Sequence, residues 1–383
     1  MELPLKVGIV GQRGEGPLQC FAVMPETEVV AFCTRHEETV RPIVEKYQIP
    51  NAFTRYEDLL NSDVDIIFVG TPLPEHVNQS VAALEAGKHV LCEIPAATTL
   101  DECWQLLEAV KASDRKYMLA ENYTYMREHV LVRELVRQGF FGEIYYSEGE
   151  YVHDLKHFFF DGEGRPTWWN DSVVGRRGAN YATHALGPVL SWFGERVATV
   201  SCFGSGCRTA PEHVMDDSTL LICQTPSGKL IKIRNDLISN CPPRKVYSLQ
   251  GTKGVYEGNR RTIWLGDGSI KSHNRGQGEG VVDDHHQVWF ADVHGEPHRF
   301  YPLADFERYL PVEMHNPPPE GIHVGHAGGD YWQVRAFLDA IIQDATPPLD
   351  IYTGLEMTAP GICSGISIAE GGAPVEVPNF RGI

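Results

Sequence analysis

A histidine and a tyrosine lie three residues apart in a segment of small residues, GANYATHALGP at positions 178–188. The imidazole of His184 can exchange a proton near neutral pH, and the phenol of Tyr181 can donate a hydrogen bond to a sugar oxygen. Glu121, which follows a predicted strand, is a third candidate for acid–base catalysis. Structural roles remain open for the same residues: a histidine at a helix start can be satisfied by backbone, and a buried carboxylate can simply accept hydrogen bonds.

A glycine-rich turn follows the first predicted strand. Leu5–Val10 is an apolar run typical of a buried parallel strand, and the apolar run at 18–24 can form a helix. A dinucleotide pyrophosphate binds at such a helix N-terminus, where side chains would keep the backbone amides away from the phosphates. Gly11 and Gly14 fit this pattern, whereas Arg13 takes the place of the second glycine. Alone, the turn is only a weak indication of a dinucleotide site.

The end of the second predicted strand bears on the choice of cofactor. This strand, at 28–33, is followed by Thr34 and Arg35 instead of the acidic residue that usually holds a ribose 2′-hydroxyl. A hydroxyl followed by a guanidinium can bind a 2′-phosphate, which favours NADP(H) or the use of both NADP and NAD. The alternative is that Arg35 is a solvated surface residue.

The first part of the chain alternates predicted strands and helices. Further strands are expected at 64–70, 88–92 and Tyr117–Ala120, with helices at 75–86 and after a capping box formed by Thr99 and Glu102. The alternation predicts an α/β Rossmann domain over residues 1–125, built on a doubly wound parallel sheet. Such sheets bind ligands at the carboxyl ends of their strands, so the context strengthens the interpretation of the glycine turn.

Residues 126–383 are predicted to form an α+β domain on an open, mainly antiparallel sheet. Two apolar segments, at 220–224 and 229–235, flank a Thr-Pro-Ser-Gly turn and indicate a hairpin. Residues 269–329 are rich in Gly, His, Asp and Pro and are expected to form long loops. Helices are then expected at 330–343 and after a cap formed by Thr353 and Glu356.

The composition limits the classes of partner and the compartment. The net charge of −18 over 383 residues disfavours nucleic acid and anionic membranes as partners. No apolar run approaches the length of a membrane span, and no secretion signal opens the chain. Nine scattered cysteines without a C-x-x-C pair are typical of buried thiols in a reducing compartment. These features predict a cytoplasmic protein.

Two further groups of residues could bind ligands. Tyr151, His153 and Asp154 end the strand Ile144–Val152, and Trp168 and Trp169 could stack on a sugar ring or simply pack in the core. The residues predicted to contact substrate are Tyr125, Arg127, His153, Trp169 and Asn180. A second group suggests a metal by composition, but its spacing fits no structural zinc pattern, so no metal is predicted; its members are Asp283, Asp284, His285, His286, His294, His298, His323 and His326.

With these residues laid out, the chain resembles the Gfo/Idh/MocA family of NAD(P)-dependent oxidoreductases over nearly its whole length. The resemblance rests on the glycine turn, the motif T-P-x-P-x-H at 71–76, A-G-K-H-V at 86–90, E-x-P at 93–95, and His184. It implies NAD(P) between a Rossmann domain and an open sheet, a sugar or related carbohydrate as substrate, and a homo-oligomer paired through that sheet. The cofactor contacts expected beyond the glycine turn and Thr34–Arg35 are Thr71, Pro72, Pro74, His76, Glu93 and Asn122.

Two departures separate this chain from ordinary dehydrogenases of that family. Ile94 stands where they carry a lysine that helps to move the hydroxyl proton, and Asn180 stands where they usually carry aspartate. The chain is more similar to the NAD-dependent α-N-acetylgalactosaminidases. The segments that carry this similarity are E-I-P-A-A at 93–97, E-N-Y-T-Y-M-R at 121–127, Y-A-T-H-A-L-G-P-V at 181–189 and H-A-G-G-D at 326–330.

Three functions follow as hypotheses. The first is net oxidation or reduction of a sugar by hydride transfer. The second, implied by the subgroup, is redox-neutral glycoside cleavage, in which a hydroxyl is oxidised, the glycosidic bond leaves by elimination, water adds and the hydride returns. By that likeness Tyr181, His184 and Glu121 supply the proton transfers. The third is a non-catalytic dinucleotide sensor, against which these three retained residues argue.

Overall fold

The structure is a computed structural model that describes residues 3–173, 175–258, 287–290, 299–319 and 323–382. Two sheets dominate it. The first contains six parallel strands in the order β3-β2-β1-β4-β5-β6. These strands are β1 Leu5–Val10, β2 Thr27–Cys33, β3 Asn51–Phe53, β4 Ile66–Val69, β5 His89–Glu93 and β6 Tyr117–Ala120. The doubly wound parallel sheet predicted for this part of the chain is confirmed.

The helices of the first domain follow from its amphipathic segments. They are α1 Glu15–Ala22, α2 Glu37–Tyr47, α3 Tyr56–Leu60, α4 His76–Glu85 and α5 Leu100–Ala112; α6 Arg127–Arg137 follows β6, before the strands of the second sheet. Helix α5 begins at the predicted capping box: the Glu102 N–H donates to Thr99 Oγ1 at 3.2 Å, and the Thr99 N–H donates to Glu102 Oε2 at 3.1 Å. Helix α1 begins three residues earlier than the apolar run predicted, directly after the glycine turn.

The second sheet contains nine strands in the order β14-β13-β12-β11-β7-β10-β9-β8-β15. All its pairs are antiparallel except β7 with β10. The predicted hairpin is confirmed as β9 and β10. The strands are β7 Ile144–Val152, β8 Thr199–Gly204, β9 Thr219–Gln224, β10 Leu230–Asp236, β11 Arg244–Gly251, β12 Gly254–Glu257, β13 Gln287–Phe290, β14 Arg299–Pro302 and β15 Val375–Glu376.

One face of the second sheet packs on α8 (Thr183–Phe193), which carries His184. Pro188 stands inside this helix and lacks the N–H that would bond the carbonyl of His184. The hydroxyl of Tyr247 donates to that carbonyl instead, at 2.6 Å. The helix therefore continues through the proline, and His184 lies in its first turn.

The remaining helices are α7 Trp168–Ser172, α9 Gly329–Ile342 and α10 Ile351–Ala369. Helix α9 packs against α1, and the Leu119 N–H on β6 donates to the carbonyl of Leu349 at 3.0 Å. The last part of the chain thus returns to the first domain. This return brings the loop before α9 to the carboxyl end of β6.

Two local predictions are wrong. The expected long loops at 269–329 contain strands β13 and β14 and the 3₁₀ helices Leu303–Tyr309 and Val312–Met314. These segments are short, so their apolar pattern is weak beside the many turn residues. The last helix is capped by Asp350, whose Oδ1 accepts the Thr353 N–H at 2.9 Å, so Thr353 is not the cap. In the described part of the chain, no helix combines the length and apolar character needed to cross a bilayer.

Candidate active site

A cavity of about 650 Å³ lies between the Rossmann domain and the second sheet. The loops after β1, β4, β5 and β6 form one side of it, as expected for the carboxyl ends of parallel strands. The second domain supplies the opposite wall. The predicted site residues that line the cavity are Arg13, Thr71, His76, Glu93, Asn122, His153, Trp169, Tyr181 and His184.

The glycine turn has the form that a dinucleotide requires. Gly11 has a φ of 94°, and a Cβ there would collide with the backbone of Gly70 on the neighbouring strand. The chain then forms a short 3₁₀ turn and enters α1, whose Gly16 lines the cavity. Strand, tight turn and helix N-terminus thus follow one another at the cavity wall, so these residues fit a bound dinucleotide.

Asn122 gives independent support for a ligand in the cavity. Its Nδ2 donates to Asp330 Oδ1 at 2.7 Å, which orients the amide. Its Oδ1 is buried and has no hydrogen-bond partner in the described part of the chain. A buried acceptor without a partner is costly unless a ligand supplies the donor.

The T-P-x-P-x-H motif forms part of the cavity wall, and the ring nitrogens of its histidine are hydrogen-bonded to backbone carbonyls. His76 is buried, and its Nδ1 and Nε2 lie 2.9 Å from the carbonyl oxygens of Pro95 and Thr71 respectively. The ring therefore links the loop after β4 to the loop after β5. Pro72 and Pro74 bracket the start of the intervening 3₁₀ turn and do not line the cavity.

Thr34 and Arg35 lie outside the cavity lining. The Thr34 hydroxyl donates to the carbonyl of His36 at 3.0 Å. The exposed Arg35 guanidinium pairs with Glu75, with Nη2 and Oε1 2.6 Å apart. A 2′-phosphate would have to share this guanidinium with a carboxylate.

His184 and Glu121 form the first of two histidine–carboxylate pairs at the cavity. The Nδ1 of His184 lies 2.8 Å from Glu121 Oε1. Glu121 is fully buried and also accepts the N–H groups of Tyr123 and Thr124 and the hydroxyl of Thr124. A carboxylate surrounded by donors accepts a hydrogen bond from Nδ1–H, which leaves Nε2 of the neutral imidazole to accept a proton.

Packing holds the His184 ring in place and keeps it neutral. Tyr123 stacks on it with ring centroids 4.0 Å apart and an angle of 20°. On the other side of Glu121, helix α8 comes close only because residue 187 is glycine; a Cβ there would lie 2.5 Å from Glu121 Oε2. Burial is the largest influence on the His184 pKa and lowers it, even though the hydrogen bond with Glu121 acts in the opposite direction.

His326 and Asp330 form the second pair. The Nδ1 of His326 lies 2.9 Å from Asp330 Oδ2, and the rings of His326 and His184 are 6.2 Å apart. His326 and Ala327 hold φ values of 50° and 53°, a conformation that non-glycine residues rarely adopt and that is often found at functional sites. Burial lowers the His326 pKa, but the hydrogen bond and charge of Asp330 outweigh it, so the net shift is upward.

Two further groups in the cavity have altered proton affinities. Burial, reinforced by the negative charge of Asp330, raises the pKa of Glu93 to about 7. Burial also raises the pKa of Tyr181 well above its usual value. Glu93 can therefore gain or lose a proton near neutrality, whereas the Tyr181 phenol stays protonated and can donate.

The residues predicted to contact substrate fall into two groups. His153 and Trp169 line the cavity. Tyr125, Arg127 and Asn180 do not: Tyr125 is buried, Arg127 binds the Met314 carbonyl and Glu307, and Asn180 donates to the Arg176 carbonyl at 3.1 Å.

The histidine-rich segment considered as a metal site lies partly outside the described residues. Asp283–His286, His294 and His298 belong to that outside part. His323 and His326 are described, and both line the cavity. Within the described ranges, no three His, Cys, Asp or Glu residues are arranged to hold a metal ion.

Two known families match the two parts of the chain that form the opposite walls of this cavity. Residues 5–121 match the oxidoreductase family with an NAD-binding Rossmann fold. Residues 125–220 and 304–382 match the C-terminal domain of glycosyl hydrolase 109. The chain joins a Gfo/Idh/MocA NAD-binding Rossmann domain to a glycosyl hydrolase 109 C-terminal domain. This two-domain protein is an enzyme, and its Rossmann domain binds NAD.

Similar proteins cover nearly the whole enzyme. A glycosyl hydrolase family 109 protein of Streptomyces filamentosus is 29% identical, covering 98% of this chain and 77% of that protein. An alpha-N-acetylgalactosaminidase of Shewanella oneidensis is 26% identical over 97% of this chain and 83% of that protein. Two solved structures share the fold: an oxidoreductase domain protein from Kribbella flavida (TM-score 0.79, 22% identity, 98% and 100% coverage) and levoglucosan dehydrogenase with NADH and levoglucosan (TM-score 0.75, 20% identity, 98% and 99% coverage).

Sequence reasoning gave no role to His326, although its segment contributed to the resemblance. Four features could have identified it: the resemblance itself, a histidine four residues before an acid, flanking glycines, and a position just before a helix. The Asp330 partner and the Asn122 contact depend on the return of the chain to the first domain. They were therefore invisible in the local pattern.

Proposed function

We propose that this enzyme cleaves a glycoside with no net oxidation or reduction, using NAD bound in the cavity. The observation that carries the proposal is the presence of two histidine–carboxylate pairs in one cavity. The pKa of the histidine is lowered in one pair and raised in the other. Elimination of a glycosidic group needs a base for the sugar and an acid for the departing oxygen. Net oxidation of an alcohol needs only the base. The second pair therefore favours cleavage.

Each pair has a definite task in this scheme. When bound, the nicotinamide takes a hydride from a sugar carbon and later returns it. His184 accepts the proton of the sugar hydroxyl at Nε2, and Glu121 stabilises the imidazolium that forms. The cationic His326 donates a proton to the glycosidic oxygen, and Asp330 holds its ring in position. Tyr181 donates a hydrogen bond to a sugar oxygen.

A further acceptor is needed for the C–H proton next to the transient ketone. Glu93 lines the same cavity on the Rossmann side, and its pKa of about 7 makes it a competent base at neutral pH. Ile94, which follows it, is buried and cannot exchange protons. Without a lysine at that position, His184 is left as the acceptor for the hydroxyl proton.

Trp169 supports a carbohydrate as the substrate class. It stacks with Trp168 at 4.5 Å and 26° and with Phe158 at 5.7 Å and 16°, and all three rings line the cavity. Aromatic faces of this kind are suited to the apolar faces of sugar rings. The name of the Shewanella oneidensis relative points to an N-acetylated hexosamine with an α-linkage.

The second candidate is net dehydrogenation of a free sugar, for which the pair His184–Glu121 is sufficient. The test incubates the enzyme with aryl glycosides in deuterated water and follows the aryl group, the cofactor absorbance and the isotope content of the sugar. Cleavage with deuterium beside the transient ketone, and without accumulation of reduced cofactor, supports the proposal. Reduced cofactor accumulating with an intact glycosidic bond rejects it in favour of the dehydrogenase.

We also propose that two copies associate through the outer face of the second sheet. Apolar side chains stand exposed on this face in three adjacent strands: Phe203, Leu220 and Leu230 are 58%, 38% and 40% exposed. Ion pairs continue the face, with Lys232 and Glu148 3.1 Å apart. Phe203 lies directly opposite Leu220 in the pairing of β8 with β9, whereas Leu230 lies opposite Gln224, further along the sheet. Leu220→Lys should lower the mass measured by light scattering if this face is the interface, with no change if it is not.

The nine cysteines support the cytoplasm as the compartment. All nine are free thiols, and seven of them are buried. Thiols that are buried without pairing are typical of proteins in a reducing environment.

A further inference from the structure

Arg13 makes a contact that crosses the cavity. It belongs to the glycine turn of the Rossmann domain, yet its Cζ lies 4.9 Å from the ring centroid of Phe158 in the second domain. Both residues line the cavity. This geometry is that of a cation–π contact, in which the guanidinium lies over the negative face of the ring.

Other aromatic rings and hydrogen bonds within its loop hold Phe158 in position. Its ring stacks on Trp169, which in turn stacks on Trp168, and the centroid of the His157 ring lies 4.0 Å from that of Phe158. The Phe158 carbonyl accepts the hydroxyl of Thr167, and the Thr167 N–H donates to the Phe159 carbonyl at 2.9 Å. These contacts close the loop that carries the ring. These contacts hold the Phe158 ring in a fixed position opposite Arg13.

The position of Arg13 in the turn explains why this contact bears on the cofactor. Arg13 lies between Gly11 and Gly14, whose turn leads to the helix N-terminus suited to the pyrophosphate. Its positive charge also acts on Glu93, Tyr151 and Tyr181, which places it at the cavity rather than in bulk solvent. A glycine here, as in the usual fingerprint, could not reach the second domain.

We propose that Arg13 and Phe158 form a latch across the cavity, and that the contact between them slows the release of bound dinucleotide. The purpose of the latch rests on the proposed function: a cycle that returns its hydride gains nothing from cofactor exchange, whereas a net dehydrogenase must exchange cofactor at every turnover. The contact itself does not depend on the reaction, so its test uses cofactor alone, without any sugar.

The test measures release of NADH from the whole enzyme. Bound NADH is displaced with excess NAD, and the loss of its fluorescence is followed in a stopped-flow instrument for the wild type, Arg13→Met, Phe158→Leu and the double variant. A cation–π contact at a partly exposed site predicts that each single variant releases NADH at least about two- to fivefold faster. Because both variants break the same contact, the double variant should release NADH at about the rate of the faster single variant.

Phe158→Leu separates the latch from simple attraction to phosphate. It keeps the charge of Arg13 but removes the ring beneath the guanidinium. The latch predicts release nearly as fast as from Arg13→Met, whereas attraction to phosphate alone predicts release at the wild-type rate. Phe160→Leu and Arg41→Met are the matched controls, because Phe160 is exposed in the same loop and Arg41 pairs with Glu37 on the surface. Both should release NADH like the wild type.

Two results would overturn the latch. One is a double variant whose acceleration equals the product of the two single accelerations, which would mean that Arg13 and Phe158 act on the dinucleotide separately. The other is unchanged release in both single variants. Melting temperatures measured without cofactor check that each variant is folded, and Phe158→Met, which removes the ring but keeps a large apolar side chain, replaces Phe158→Leu if that variant does not fold.

Discussion

Each of the two histidine–carboxylate pairs has its imidazole Nδ1 at nearly the same distance from a carboxylate oxygen, 2.8 Å for His184 and 2.9 Å for His326. The pKa of His184 is nevertheless lowered and that of His326 raised. The His184 side chain is 7% exposed and the His326 side chain is 40% exposed. For His184, loss of hydration outweighs the attraction of Glu121. For His326, the attraction of Asp330 prevails. The comparison teaches that the hydration left to the ring, rather than its carboxylate partner, decides which histidine is neutral.

The two carboxylates also differ in the number of hydrogen bonds that they accept. Glu121 accepts two backbone N–H groups and one hydroxyl besides the imidazole. Asp330 accepts from Asn122 and His326 and has the charge of Glu93 nearby. The first carboxylate is a rigid support for a base. The second keeps a proton on an acid that can face the departing group.

The largest effect should come from removing the base. We expect His184→Ala to lower kcat by roughly 10²–10⁴, because the proposed acceptor of the hydroxyl proton is lost. The fold should survive, since Glu121 keeps its other three donors. Steady-state kinetics, NADH binding and thermal melting measure the three quantities. Near-normal turnover, or loss of folding, would show that His184 is structural.

Removing the acid should have an effect that depends on the substrate. We expect His326→Gln to lower cleavage of alkyl glycosides about 10²-fold, since an alkoxide leaves poorly without a proton. Cleavage of nitrophenyl glycosides should fall much less, because nitrophenolate is a good leaving group. A series of aryl glycosides would measure this as a steeper dependence of rate on leaving-group pKa. An equal loss for every leaving group would contradict the assignment of His326 as the acid.

The shifts predict a bell-shaped pH profile for cleavage. His184 must be unprotonated, so activity falls as the pH drops through its pKa, which lies below the ordinary 6.5. His326 must be protonated, so activity falls as the pH rises through its pKa, which lies above 6.5. Glu93 must be unprotonated to accept the C–H proton, so its pKa of about 7 also limits the acid side of the profile.

Asp330→Asn sharpens the assignment of the alkaline limb. Removing the negative charge beside His326 should move that limb to lower pH, and it should also lower the pKa of Glu93, which the charge of Asp330 helps to raise. Glu93→Gln in parallel separates the contribution of the other titrating group. An alkaline limb that is unaffected by Asp330→Asn would remove His326 as its source.

The smallest expected effect concerns the exposed ion pair of Arg35 and Glu75, in which solvent weakens the electrostatic attraction. Glu75 holds Arg35 at the surface. We expect Glu75→Gln to raise NADPH affinity about two- to fivefold with little change for NADH, because the guanidinium is freed for a 2′-phosphate. Fluorescence titration measures both affinities, and the double variant Glu75→Gln/Arg35→Ala is the control. If NADPH affinity rises in that double variant too, Arg35 is not its binding group.

Local sequence patterns determined much of the architecture. The alternation of apolar strands and amphipathic helices, the capping box at Thr99 and the hairpin around 225–228 were all predictable, because each depends on residues close in sequence. The glycine turn belongs to the same class. The segments that were misjudged, such as β13 and β14, are only four residues long each, too short for their pattern to stand out among turn residues.

The active site depended on contacts between distant residues. His184 and Tyr181 could be chosen from the sequence, but Glu121 becomes a fixed partner only where α8 crosses the end of β6, close to Gly187. His326 meets Asn122 only because the chain returns to the first domain. The charge of each histidine was decided last, because the hydration of a ring is a property of its whole surroundings and not of its neighbours in sequence.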